Sequence, residues 1–156
     1  MTTLNIGDKV PEFLLPIADD REISASSLKG HRFIIYFYPK DDTPGCTREA
    51  IEFSQKRETF KSMEIEVIGV SKDTLAKHYK FAQKHELNIV LGSDESGEVC
   101  EAFGVWVEKK NYGRTYMGIE RSTFLIDRAG NIAKIWRKVR VPGHVEAVLE
   151  ACKAIS

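Results

Sequence analysis

Apolar residues along this chain fall into two kinds of pattern: short unbroken runs, and stripes that recur every three or four positions. FIIYFY at 33–38 and IEVIGV at 65–70 are nearly uninterrupted apolar runs of strand length. Such runs are expected where a strand is buried on both faces of a parallel sheet. Between them Ala50, Phe53 and Phe60 recur at i, i+3 and i+10 with charges elsewhere, a helical stripe. A second helix is expected over 73–85, with Asp73 as its cap and Leu75, Tyr79 and Ala82 on one face. Upstream, within 4–25, EFLLP and REISAS joined through Ala18-Asp19-Asp20 read as a short hairpin. Downstream, STFLID (122–127) and IAKIWRK (132–138) flank Arg128-Ala129-Gly130-Asn131, a tight hairpin by composition. A last helix starts near 144, with the stripe Val145, Val148, Leu149, Cys152 and Ile155.

The order hairpin, β-α-β-α, hairpin, α implies an α/β chain with a mixed central sheet, helices on both of its faces, and an N-terminal β-hairpin. That is a thioredoxin-like fold. With no internal repeat, linker or low-complexity tract, residues 1–156 are expected to form one domain, and 42% hydrophobic residues suffice for a sizeable core. Charge adds an exclusion: 23 basic and 23 acidic residues cancel, so nothing draws the chain to nucleic acid or an anionic membrane. No apolar run reaches membrane-spanning length, and MTTLNIGDKVPEF lacks the basic and apolar regions of a signal, so a cytoplasmic location is expected. Cysteines at 46, 100 and 152 form neither a CxxC pair nor a zinc spacing, which fits a reducing compartment. Histidines 31, 78, 85 and 144 are scattered and suggest no metal site.

Candidate chemistry concentrates in TPGC. Thr43 suits an N-cap and Pro44 the first helical position, which leaves Cys46 in the first turn among unpaired N–H groups at the positive end of the helix dipole. That environment favours thiolate over thiol. Lowering a thiol pKa from about 8.5 to about 6 takes roughly 3.4 kcal/mol. A helix terminus supplies about 0.3–1 kcal/mol and at most about 2. A cation is therefore expected nearby, since a guanidinium about 4 Å away adds on the order of 4 kcal/mol at an effective dielectric of about 20. Thiolate fraction alone accounts for roughly a 30-fold gain in rate, and a lower pKa also weakens the nucleophile. Fast chemistry would need donors that hold the electrophile.

YFYPKDDTPGCT resembles the peroxidatic motif of the peroxiredoxins, P-x-x-x-(T/S)-x-x-C, met by Pro39, Thr43 and Cys46. GVWVEKKNYGRTYMGIERSTFLID resembles the second-half signature of the bacterioferritin comigratory protein (BCP, or PrxQ) subfamily, and the similarity spans essentially the whole chain. The resemblance implies a thiol peroxidase in which Cys46 attacks the O–O bond of hydrogen peroxide or an alkyl hydroperoxide and becomes a sulfenic acid. Thr43 would bind the peroxide, Pro39 would shield the sulfur, and Arg121 would be the missing cation, oriented by Glu49. Implied too are a monomer and no cofactor beyond an external reductant, thioredoxin or another thiol. Trp106 and Tyr112 also follow the family pattern near a loop, where packing or loop structure explains them.

Many BCP-type proteins carry a resolving cysteine five residues after the peroxidatic one; here that position is Ile51, and TLAKHYKFAQKHELN holds no cysteine either. Cys152 lies on an apolar stripe and Cys100 is three residues before Phe103, so both read as packing residues. A 1-Cys cycle is expected, with recycling through Cys100 as the alternative. A disulfide oxidoreductase would need a CxxC. A non-catalytic thioredoxin-like module would have no use for Pro39, Thr43, Cys46 and Arg121 together.

Overall fold

A computed structural model of the chain describes residues 3–155. In chain order it forms β1 (Leu14–Ile17), β2 (Arg21–Ser24), β3 (Arg32–Phe37), α1 (Pro44–Gln55), α2 (Arg57–Ser62), β4 (Ile65–Ser71), α3 (Leu75–His85) and β5 (Val90–Ser93). There follow α4 (Glu98–Ala102), β6 (Trp106–Asn111), β7 (Arg114–Ile119), β8 (Ser122–Ile126), β9 (Ile132–Trp136) and α5 (His144–Ala154). Five strands make the central sheet in the order β5-β4-β3-β8-β9, with β3, β4 and β5 parallel and β8 and β9 antiparallel to their neighbours.

Every residue of β3 is buried. Its side chains alternate between two cores, as strand geometry requires. Phe33, Ile35 and Phe37 join Leu15, Phe103, Phe124 and Cys100 on one face. Ile34 and Tyr36 join Cys46, Phe53, Phe60, Phe81, Val148 and Cys152 on the other. The β1–β2 hairpin and α4 thus cover the first face, and α1, α2, α3 and α5 the second. The thioredoxin-like architecture, mixed sheet and N-terminal hairpin are as expected. The hairpin turns through Asp19 and Asp20, both at left-handed φ (62° and 55°).

Three expectations are corrected. The α3 cap is Thr74, whose side chain accepts the Lys77 N–H at 3.2 Å. Asp73 instead accepts from the Asp41 N–H and the Ser71 hydroxyl. The buried face of α3 carries His78 and Phe81, while Leu75 and Tyr79 are exposed; a hydrogen-bonded histidine takes a core position that an apolar count overlooks. Finally, β5, α4 and the β6–β7 hairpin were not anticipated. That hairpin turns on Tyr112-Gly113, both at positive φ, the geometry of a two-residue turn whose glycine was legible.

One close approach fixes how the Cys46 face packs. Tyr36 and Gly69 are partners across β3 and β4, and a Cβ on Gly69 would sit 2.8 Å from the Tyr36 ring and hydroxyl. Tyr36 cannot retreat, because it is fully buried and stacks on Phe53 with centroids 4.6 Å apart. Gly69→Ala should therefore destabilise the protein by about 1–3 kcal/mol, the usual cost of overpacking. A urea unfolding curve at neutral pH measures it, and an unchanged midpoint would mean the ring has room to move.

Candidate active site

The register of β3 with β8 assembles the site. Phe37, the last residue of β3, pairs with Ser122, the first of β8. The loop leaving β3 toward α1 and the two residues entering β8 therefore emerge at the same end of the sheet, where ligands of open α/β sheets bind. Cys46 comes from the first of these segments and Arg121 from the second.

Thr43 precedes α1 with extended backbone (φ −106°, ψ 154°), Pro44 opens the helix, and Cys46 stands in its first turn, as the sequence implied. Cys46 is only 2% exposed. Arg121 donates from Nη2 to Cys46 Sγ at 3.3 Å and from Nη1 to Glu49 Oε1 at 2.8 Å. Glu49, one turn along α1 from Cys46, is fully buried. The guanidinium thus spans the thiol and its own counterion. Gly45 makes this possible, because a Cβ there would lie 3.2 Å from Arg121 Nη2.

Two readings of single residues change. Strand parity would put Arg121 on one face with Ile119, Thr123 and Leu125, but it lies in the connection between β7 and β8 and does not share a face with Ile119. Ile119 packs in the first core, whereas Leu125 belongs to the second and Thr123 bonds His144; the break at Glu120 resets the alternation. The Thr43 hydroxyl makes no cap bond and donates to the Lys40 carbonyl at 2.9 Å. Its lone pairs remain free to accept a proton donor. Pro39 is exposed on the loop after β3.

Histidine 144, the first residue of α5, was not singled out by sequence, yet it closes the inner side of the site. Its Nε2 lies 2.8 Å from the Thr123 hydroxyl and 3.9 Å from Glu49 Oε2. Glu49 Oε2 and the Tyr36 hydroxyl have no hydrogen-bond partner among the described residues. Lys109 on β6 adds a second cation, held below its ordinary pKa by partial burial and by the charge of Arg121. Outside the turn, Asp42, Thr43, Pro44, Thr47, Arg48 and Ile51 border an open groove of about 530 Å³ that Cys46 does not line.

Comparison with known proteins identifies the family. The model of the AhpC/TSA family matches residues 6–135. Peroxiredoxin Bcp of Bacillus subtilis is 47% identical over 154 residues, covering 99% of this chain and 98% of that one. The chain is a peroxiredoxin of the Bcp/PrxQ group in the AhpC/TSA family. Peroxiredoxin Bcp of Escherichia coli K12 is 40% identical, covering 98% of both chains. Among solved structures, PrxQ of Xylella fastidiosa superposes with a TM-score of 0.92 at 37% identity, covering 99% of this chain and 98% of that one. The bacterioferritin comigratory protein of Xanthomonas campestris, described for its alkyl peroxide reduction, superposes at 0.87 with 40% identity, covering 91% and 90%. As a peroxiredoxin, the protein is a thiol-dependent peroxidase.

The buried pair behind the peroxiredoxin site has opposed proton preferences. Burial pushes the Glu49 carboxyl up to about 7, against the pull of Arg121. Burial, then the charge of Arg121, push the His144 imidazole down to about 4. A raised carboxyl stabilises the fold below its unfolded value near 4.5 and loses that contribution as pH climbs through 7. A lowered imidazole does the reverse: its contribution is present above 6.5 and lost as pH falls through 4. Between these values the two slopes oppose each other. Glu49→Gln should leave a urea midpoint that rises with pH in this window, and His144→Asn one that falls. Wild type should move less than either. Parallel curves for all three proteins would show that the pair does not titrate on unfolding.

Proposed function

We propose that Cys46 is the peroxidatic nucleophile and that the cycle is of the 1-Cys kind. The contact that carries this reading is Arg121 Nη2 at 3.3 Å from Cys46 Sγ, the cation demanded by the energetics of a helix-start thiolate. The thiolate attacks one peroxide oxygen. A sulfur–oxygen bond forms as the O–O bond breaks, and the departing oxygen takes a proton to leave as water or an alcohol. Sulfur is oxidised to the sulfenic acid and the peroxide is reduced. Thr43 accepts a hydrogen bond from the peroxide O–H, Arg121 stabilises charge on the reacting oxygens, and Pro39 screens the sulfur from bulk water. Both hydrogen peroxide and alkyl hydroperoxides suit this chemistry, and the groove beside Thr43 has apolar surface from Pro44 and Ile51 for an organic tail.

Neither remaining cysteine is well placed to resolve the sulfenate. Cys100 is fully buried in the core on the opposite face of the sheet, and burial, reinforced by Asp94, holds it protonated. Cys152 is buried in the core it shares with Cys46, and burial pushes its thiol up to about 11. Position 51, where many BCP-type proteins carry the resolving cysteine, is Ile51 within α1. An external thiol, thioredoxin or a smaller one, therefore attacks the sulfenate, releasing water, and a second thiol frees Cys46. No resident cofactor takes part, and the protein works as a monomer in the cytoplasm.

Cys46→Ser should abolish peroxide consumption with dithiothreitol, while Cys100→Ser and Cys152→Ser keep most of it. One equivalent of peroxide should add a single oxygen to the Cys46 peptide, trapped by dimedone, and excess peroxide should carry it to the sulfinic acid. A Cys46–Cys100 disulfide in the mass spectrum would overturn the 1-Cys cycle, and turnover by Cys46→Ser would overturn the nucleophile. Arg121→Met should lower both thiolate absorbance and rate, whereas Thr43→Val should slow the reaction with thiolate absorbance unchanged. Rate losses that followed thiolate alone in both variants would remove Thr43 from the site.

A further inference from the structure

Opposite Arg121, the loop that carries Thr43 is tied down by a buried polar network with no part in the peroxidase steps above. Asp41 and His78 are 8% and 3% exposed. Asp41 Oδ1 accepts from the Tyr38 hydroxyl at 2.6 Å, and Oδ2 lies 2.6 Å from His78 Nδ1. His78 Nε2 is 2.9 Å from the Gly92 carbonyl, which can only accept, so Nε2 carries a proton. A further proton must then sit between Nδ1 and Oδ2. The Asp41 N–H donates to Asp73 at 2.8 Å, and Asp73 is held in turn by the Ser71 hydroxyl at 2.7 Å. Donor atoms of Asp41, Asp73 and His78 lie within 4.8 Å of one another, but at 2.6 Å the imidazole and carboxylate share a proton, with no space for an ion between them.

These bonds join the loop to the ends of β4 and β5 and to α3. Asp41 is two residues before Thr43 and five before Cys46. Outside it, Asp42, at a left-handed φ of 59°, pairs with Lys84 and His85 of the same helix at 2.8 and 2.9 Å. The Asp42 pairs are open to solvent and contribute little. Asp41 and His78 are buried, and losing one strands the other.

We propose that Asp41, His78 and Tyr38 form a positioning clamp that sets the Thr43 hydroxyl against Cys46 for peroxide, with no part in making the thiolate. This rests on the peroxidatic role of Cys46 proposed above. The clamp acts through loop geometry, so its loss slows attack on peroxide, which needs Thr43 in register. Alkylation of the sulfur, which needs only thiolate and access, is spared. A misplacement on the order of 1 Å in such a site costs up to roughly 100-fold.

The test measures Cys46 oxidation by hydrogen peroxide in stopped flow, together with iodoacetamide alkylation, thiolate absorbance and the urea midpoint. Asp41→Ala and His78→Phe should lose roughly 10- to 100-fold in the peroxide rate, with alkylation and thiolate absorbance no lower than wild type. Combining them should cost no more than the worse single variant. Asp41→Asn keeps every bond, because its amide can donate to a neutral His78 Nδ1 while its carbonyl accepts from Tyr38, so its peroxide rate should stay near wild type. Tyr38→Phe removes one bond without changing volume and should fold whatever the others do; a several-fold slower peroxide rate at unchanged alkylation is expected. An unchanged peroxide rate in Tyr38→Phe, or alkylation falling in step with the peroxide rate, overturns the clamp. Wild type that fails to react with peroxide at Cys46 would instead sink the peroxidatic reading itself.

Discussion

Arg121 holds Cys46 through one nitrogen and Glu49 through another, and both partners lie in the first two turns of one helix. A guanidinium suits this because its donors are spread over a planar, permanently charged fork, whereas an ammonium concentrates its three on one nitrogen. Glu49 is the less obvious half of the arrangement. Buried beside the thiol, it fixes the direction of the cation but also competes for it. Burial raises its pKa against the pull of the guanidinium, and the less charge Glu49 carries, the more of Arg121 is left to the sulfur.

The rest of the fold serves that contact. Sheet order places the start of β8 beside the end of β3, so a residue from the last third of the chain meets one from the first. Glycines at 45 and 69 create space where side chains must come close, one for the guanidinium and one for a tyrosine ring behind it. On the far side, the Asp41–His78 network gives the loop a second anchor. The first helical turn and the loop that leads into it are thus each held by buried polar groups, a costly arrangement in stability that makes sense where geometry matters more.

The separation of the cysteines has a physical basis. A sheet buried on both faces makes two cores that side chains cannot cross. Cys46 and Cys100 are consigned to different cores by the alternation of β3 and by the helix that each belongs to. Ile51, five residues after Cys46, is partly buried on α1 and offers no sulfur. Burial pushes both remaining thiols toward the protonated form.

What the sequence determined by itself was local. Apolar runs made β3 and β4 recognisable, the stripe Val145, Val148, Leu149 and Cys152 made α5 recognisable, and Thr43-Pro44-Gly45-Cys46 put a thiol at a helix start, because each of these is decided by neighbours in the chain. The need for a cation followed from arithmetic on that thiol, and motif resemblance nominated Arg121. Tertiary structure decided what depends on distant partners. Leu75 and Tyr79 turned outward because the sheet-facing side of α3 holds His78 and Phe81. The Thr43 hydroxyl went to Lys40 and the Asp73 carboxylate to Asp41, since each found a better-placed partner than the helix end. His144 and Asp41 carried no local signal at all: a lone histidine and one of two aspartates gain meaning only when strand register brings a buried, unmatched partner within hydrogen-bond reach.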